Sequence, residues 1–119
     1  MEILYIDDVE LLYRAVKRTL RDHKVVYCPT ASTAIDRLIG GYRPDVIICD
    51  VYMGNESGDS VYTWLTDNAP DLCQRLAFVS GTTDYKMPPD MPEGVPILEK
   101  PFTTSDLRAI IARLADIRE

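Results

Sequence analysis

Short apolar runs alternate along the chain with longer stretches in which apolar positions recur every three or four residues. Ile3-Leu4-Tyr5-Ile6 reads as a buried strand that stops at Asp7-Asp8. Leu12, Val16 and Leu20 follow at i, i+4 and i+8 and predict a helix over 9–22. Val25-Val26-Tyr27-Cys28 is a second strand, closed by Pro29. Thr30 then caps a second helix with Ala34, Ile35, Leu38 and Ile39 on its inner face, ended by Gly40-Gly41. Val46-Ile47-Ile48-Cys49 is a third strand ending at Asp50, followed by a glycine-bearing loop over 54–58 and a helix carrying Val61, Trp64 and Leu65. Leu76-Ala77-Phe78-Val79 and Val95-Pro96-Ile97-Leu98 complete five strands. Leu107, Ile110, Ile111, Leu114 and Ile117 share one face of the last helix, and Thr103 and Asp106 have capping-box spacing at its start.

Five non-alternating, β-branched runs separated by helix-length segments predict an α/β fold: a doubly wound, five-stranded parallel sheet covered on both faces. Between the fourth and fifth strands, residues 82–96 hold Pro88, Pro89, Pro92 and Pro96. Each proline removes a backbone donor and opposes the preceding helical turn, so the fourth helix is expected to be short or replaced by a proline-rich loop. A length of 119 residues predicts a single domain, 1–119. The net charge of −6 disfavours a nucleic-acid groove or an anionic membrane surface as partner. Apolar runs of four residues fall far short of the roughly 20 that a membrane-spanning helix needs, and no signal peptide opens the chain; a cytoplasmic protein is expected. Cys28, Cys49 and Cys73 lack C-x-x-C spacing and suit neither a zinc site nor a disulfide framework, and Cys49 reads as a buried small hydrophobe.

Ligands of open α/β sheets bind outside the carboxyl ends of the strands. Those ends carry Asp7-Asp8, Asp50, Ser80-Gly81 and Glu99-Lys100. In the flavodoxin-like order 2-1-3-4-5 the first and third strands are neighbours, which brings three carboxylates to one rim. Such a cluster repels itself unless a cation neutralises it, and an all-oxygen donor set suits Mg²⁺. With the Lys100 ammonium and the Ser80 hydroxyl alongside, the rim is suited to a phosphoryl group, whose transfer is mostly positioning and charge neutralisation. Singly, each feature has a plainer role: Asp7 or Asp8 as a helix cap, Asp50 as a loop residue, Ser80-Gly81 as a turn, Lys100-Pro101 as a strand end. Four such features at four strand ends are a different matter. His23 reads as a solvated residue after the first helix. A Ser–His hydrolase lacks its G-x-S-x-G motif, and no glycine-rich nucleotide loop exists.

Asp7-Asp8, Asp50-Val51-Tyr52-Met53 with Gly58, Val79-Ser80-Gly81 and Lys100-Pro101-Phe102 together resemble the CheY-like receiver domain of two-component response regulators, over essentially the whole chain. The resemblance implies that Asp50 is a phosphoacceptor served by a histidine kinase or phosphotransfer protein. It implies that Asp8, Asp50 and the main-chain carbonyl of Tyr52 bind Mg²⁺ directly while Asp7 acts through water. It further implies that Lys100 pairs with phosphoryl oxygens, that Ser80 is the switch hydroxyl, and that the Lys100-Pro101 peptide is cis. Tyr52 and Thr82 would flank the path of attacking water and tune the rate. Such a protein is not a conventional enzyme, although it catalyses its own phosphorylation and dephosphorylation. Four features depart from the family: Ile97 replaces an aromatic residue, Gly54 a proline, Ser80 a threonine, and the proline-rich segment much of the fourth helix. No effector or DNA-binding element is expected within these residues, and both a stand-alone regulator and a piece of a longer protein are open. A receiver belonging to a hybrid histidine kinase is an alternative. So is a receiver-like interaction module that never carries phosphate, against which the complete acid set and Lys100 argue. A flavodoxin-like cofactor binder would lack a phosphate-cradling first loop.

Overall fold

The computed structural model describes residues 1–53, 56–81 and 94–116. Its apolar runs form β1 (Glu2–Ile6), β2 (Lys24–Cys28), β3 (Val46–Asp50), the two-residue strands β4 (Tyr52–Met53) and β5 (Glu56–Ser57), then β6 (Leu76–Ser80) and β7 (Ile97–Glu99). Five of these make one parallel sheet in the order β2-β1-β3-β6-β7, which is 2-1-3-4-5 when sheet members alone are counted. Ile6 lies opposite Cys49, so the residues that follow them, Asp7 and Asp50, leave the sheet at the same level. Ser80 pairs with Glu99 on the other side, bringing Lys100 to that level as well.

Strand alternation divides the apolar side chains between two layers. Ile3, Tyr5, Ile48 and Val79 face α1 (Glu10–Thr19) and α5 (Thr104–Ala115), whose buried residues include Val16, Leu107 and Ile111. Leu4, Ile6, Cys49 and Phe78 face α2 (Ala31–Ile39), α3 (Asp59–Asn68) and the single turn α4 (Pro70–Cys73), through residues such as Leu38, Val61 and Leu72. The fourth helix in chain order is thus short, and it precedes β6. The proline-rich residues 82–93 lie outside the described residues, as does Ile117. No described helix is long and apolar enough to cross a membrane.

Both expected caps form, because their chemistry is local. Thr30 accepts from Thr33 N, and Thr103 Oγ1 accepts from Asp106 N at 3.0 Å while the Asp106 carboxylate accepts from Thr103 N at 3.3 Å. Thr103→Ala is expected to lower the unfolding free energy by about 1 kcal/mol, read from urea titration; an unchanged midpoint would deny the cap any energetic part.

Other details differ from the sequence pattern. α1 stops at Thr19, because the chain turns after Leu20 and His23 N bonds Leu20 O as it enters β2. His23 is half-buried, not solvated, with Nε2 3.5 Å from Asp22 and Nδ1 buried, in a corner it shares with Leu20 and Ile111. The buried stripe of α2 runs through Ala31, Ala34 and Leu38, so Ile39 turns outward and is 66% exposed. The glycine loop after β3 is spanned by the antiparallel β4–β5 pair. The last strand starts at Ile97: Pro96 has no amide to donate, although its carbonyl accepts from Phe78 N.

Candidate functional site

The ends of β1 and β3 place Asp7, Asp8 and Asp50 together, with one carboxylate oxygen from each within 4.8 Å of the others. Asp7 is fully buried and Asp50 nearly so, whereas Asp8 is exposed and opens the cluster to solvent. Neither Asp7 nor Asp8 caps α1, whose N-cap is Val9 with no side-chain cap bond. Asp7 Oδ1 instead accepts from the Val9 amide at 3.0 Å.

Lys100 reaches the same point from the far side of the sheet. Its amide donates to Ser80 O at 2.8 Å, continuing the β6–β7 ladder, and the Lys100-Pro101 peptide is cis. Its ammonium lies 3.0 Å from Asp7 Oδ2 and 3.5 Å from Asp50 Oδ2. Ser80, 6% exposed, ends β6 at this rim. Tyr52 contributes its backbone from β4, immediately beyond Val51; its side chain and all of Thr82 lie outside the described residues.

One participant was not visible in the motifs. Tyr5, fully buried in the β1 run, donates its hydroxyl to Asp7 Oδ2 at 2.7 Å. The signal available was spacing: residues two apart on a strand share a face, so a long polar-tipped side chain at position 5 can lie along the strand to reach position 7.

The charges explain why the cluster suits a cation. Three carboxylates meet one ammonium. Burial pushes the Asp50 carboxyl from 3.8 up to about 6; Lys100 pulls it back, and Asp7 and Asp8 add to the rise. Burial, with the neighbouring Asp7 carboxylate, also pushes the Tyr5 phenol up. An excess of oxygen donors, one side open through Asp8, fits a hard divalent ion that keeps some water, as Mg²⁺ does.

The segment after Asp50 is fixed by backbone bonds. Val51 N donates to Val79 O at 3.0 Å and Gly58 N donates to Val51 O at 2.8 Å. Gly58 packs so close that a Cβ there would stand 2.5 Å from the Asp50 carbonyl oxygen. Beside the site, a largely apolar cavity of about 310 Å³ lies between α1 and the start of α5, lined by Leu12, Val16, Lys100, Phe102 and Leu107 among others.

Comparison with known proteins agrees with this fold. The response regulator receiver domain family matches residues 3–112. A response regulator receiver protein from Sinorhizobium medicae WSM419 is 25% identical, with a TM-score of 0.86 over 100% of this chain and 97% of its own. The crystal structure of adenylate cyclase from Rhodopirellula baltica is 26% identical, with a TM-score of 0.79 over 96% of this chain and 86% of its own. A CheY-like receiver domain protein from Methanospirillum hungatei JF-1, 23% identical, shares the fold with a TM-score of 0.73 over 98% of both chains. No curated protein shows significant sequence similarity to the chain. A match over nearly the whole length, on a sheet ordered 2-1-3-4-5, establishes that the chain belongs to the response regulator receiver domain family.

Proposed function

We propose that this receiver domain accepts a phosphoryl group on Asp50 in a Mg²⁺-dependent reaction and uses the phosphorylated state to switch a protein contact. The observation that carries the proposal is the convergence of Asp7, Asp8 and Asp50 on one point with the Lys100 ammonium against two of them. Asp50, with its carboxyl at about 6, is largely ionised at neutral pH and able to act as nucleophile. Its oxygen attacks the phosphorus of an N-phosphohistidine on a histidine kinase or phosphotransfer protein. The P–O bond forms as the P–N bond breaks, and the histidine nitrogen keeps the electron pair.

Asp8, Asp50 and the main-chain carbonyl of Tyr52 would hold Mg²⁺ directly. Asp7 would act through water, consistent with a carboxylate that already accepts from Tyr5, Val9 and Lys100. When bound, the ion neutralises charge on the phosphoryl oxygens. Lys100 stands ready to exchange its carboxylate partners for a phosphoryl oxygen, and Ser80 supplies a hydroxyl at the next strand end. Tyr52 and Thr82 are the positions from which access of hydrolytic water would be tuned. Exposed Leu11 on α1, next in sequence to the cavity-lining Leu12, offers the phosphodonor protein a place to dock. We further propose that residues 1–119 act as one receiver domain in the cytoplasm, with no nucleic-acid or membrane partner of their own.

Incubation with acetyl phosphate and Mg²⁺, followed by intact-mass measurement, tests the central step. A gain of one phosphoryl group is expected, lost with EDTA and lost in Asp50→Asn. No gain by the folded wild type, or an equal gain by Asp50→Asn, would reject the proposal.

A further inference from the structure

We infer that Tyr5 is a positioning residue of the phosphoryl site, its buried hydroxyl holding the Asp7 carboxylate and thereby setting where the Lys100 ammonium stands between Asp7 and Asp50. The inference rests on the phosphoacceptor reading above and extends it into the core. Tyr5 and Asp7 are two apart on one strand and its extension, so their side chains leave the same face of the sheet. The Tyr5 backbone is paired on both sides, with Tyr27 on β2 and Ile48 on β3, and its side chain is fully buried among apolar residues. A phenol in such a layer needs an acceptor, and Asp7 Oδ2 at 2.7 Å provides it. Because an ionised carboxylate only accepts, the phenol is the donor.

The same oxygen accepts from Lys100 Nζ at 3.0 Å. Two donors share its charge, so Lys100 is not drawn wholly to Asp7 and remains 3.5 Å from Asp50 Oδ2. Packing alone does not call for a hydroxyl here, since a phenylalanine ring would fill nearly the same space. Such a ring would leave Oδ2 to Lys100 alone.

Tyr5→Phe therefore has two opposed consequences. One donor to the acid cluster is lost, the local potential becomes more negative, and Mg²⁺ binds about three- to tenfold tighter. Lys100 is meanwhile held closer to Asp7, and phosphate uptake at saturating Mg²⁺ slows by about three- to tenfold. A residue that only packs would not move the two quantities in opposite directions. Tyr27→Phe is the control: it removes a hydroxyl from the same layer, on a ring stacked against Tyr13 at 4.4 Å.

The experiment uses the full chain in three forms: wild type, Tyr5→Phe and Tyr27→Phe. Mg²⁺ alone is titrated calorimetrically, and uptake from acetyl phosphate at saturating Mg²⁺ is followed by intact mass. Tighter Mg²⁺ binding with slower uptake in Tyr5→Phe, and neither change in Tyr27→Phe, is expected. Tyr5→Phe within twofold of wild type in both, both quantities moving together, or Tyr27→Phe reproducing the effect, would overturn the role of Tyr5 while leaving the phosphoacceptor reading standing. A wild type that binds no Mg²⁺ and takes no phosphate overturns that reading, and the role of Tyr5 with it. Wild-type protein labelled at tyrosine ¹³Cζ supplies a test that needs no variant to fold: the Tyr5 resonance should shift on Mg²⁺ addition, and an unmoved resonance contradicts the inference.

Discussion

Gly58→Ala should destabilise the chain by about 2–3 kcal/mol and weaken Mg²⁺ binding with it. A Cβ at position 58 would stand 2.5 Å from the Asp50 carbonyl oxygen, 3.1 Å from Cys49 Sγ and 3.1 Å from Phe78 Cε1. None of the three can yield cheaply. The carbonyl belongs to the end of β3, the thiol is fully buried and donates to that same carbonyl, and Phe78 is fully buried in the same layer as Cys49. Relief has to come from the start of α3 moving outward, which stretches the 2.8 Å bond from Gly58 N to Val51 O and unpacks Val61 and Leu65. Both consequences fall beside Asp50. Gly81→Ala is the comparison, because nothing lies within 4 Å of a Cβ there and a change within about 0.5 kcal/mol is expected. Equal urea midpoints for the two variants would contradict the steric account.

Asp50→Asn should make the protein more stable when divalent ions are absent. A carboxyl at about 6 in the fold and near 3.8 in the unfolded chain is held preferentially protonated by folding. Its contribution is therefore fully favourable below pH 3.8 and is lost as pH rises through 6, leaving a penalty at neutral pH. That net difference, in which the Lys100 attraction is already counted, corresponds to about 3 kcal/mol at most; solvent screening at a cluster open through Asp8 reduces the expected gain to about 2 kcal/mol at pH 7.5. The gain should shrink below pH 6 and vanish near pH 4. Mg²⁺ should then stabilise the wild type more than the variant and narrow the gap, because an ion that binds only the folded state adds its binding free energy to stability. Equal stability of the two proteins in EDTA at pH 7.5 would mean that burial beside Asp7 and Asp8 does not disfavour the Asp50 charge.

Much of this architecture was legible because it is encoded locally. The β-branched runs announce buried strands, and the caps at Thr30 and Thr103 follow from side chains within three residues of the amides they satisfy. The rim could be assembled from sequence because one topological assumption, the strand order 2-1-3-4-5, aligns Asp7, Asp50, Ser80 and Lys100. What was hidden depends on three-dimensional detail. Tyr5 sits in an apolar run and signals nothing of its hydroxyl contact until the strand face is known. Ile39 fits the helical period yet falls at the edge of the buried stripe, where one further step of about 100° carries it to solvent. His23 looks like a polar residue at a helix end, and only the return of α5 over the same corner half-buries it. The start of β7 was misplaced by two residues because apolar character at Val95 says nothing about whether its amide pairs.

The most direct measurement is chemical location of the phosphoryl group. Protein treated with acetyl phosphate and Mg²⁺ is reduced with borohydride, which converts an aspartyl phosphate to homoserine, and is then digested and mapped by mass. Homoserine at position 50 alone, present with Mg²⁺ and absent with EDTA, is the predicted result. Homoserine at position 7 or 8, or at none of the three acids in a folded protein shown to bind Mg²⁺, would contradict it.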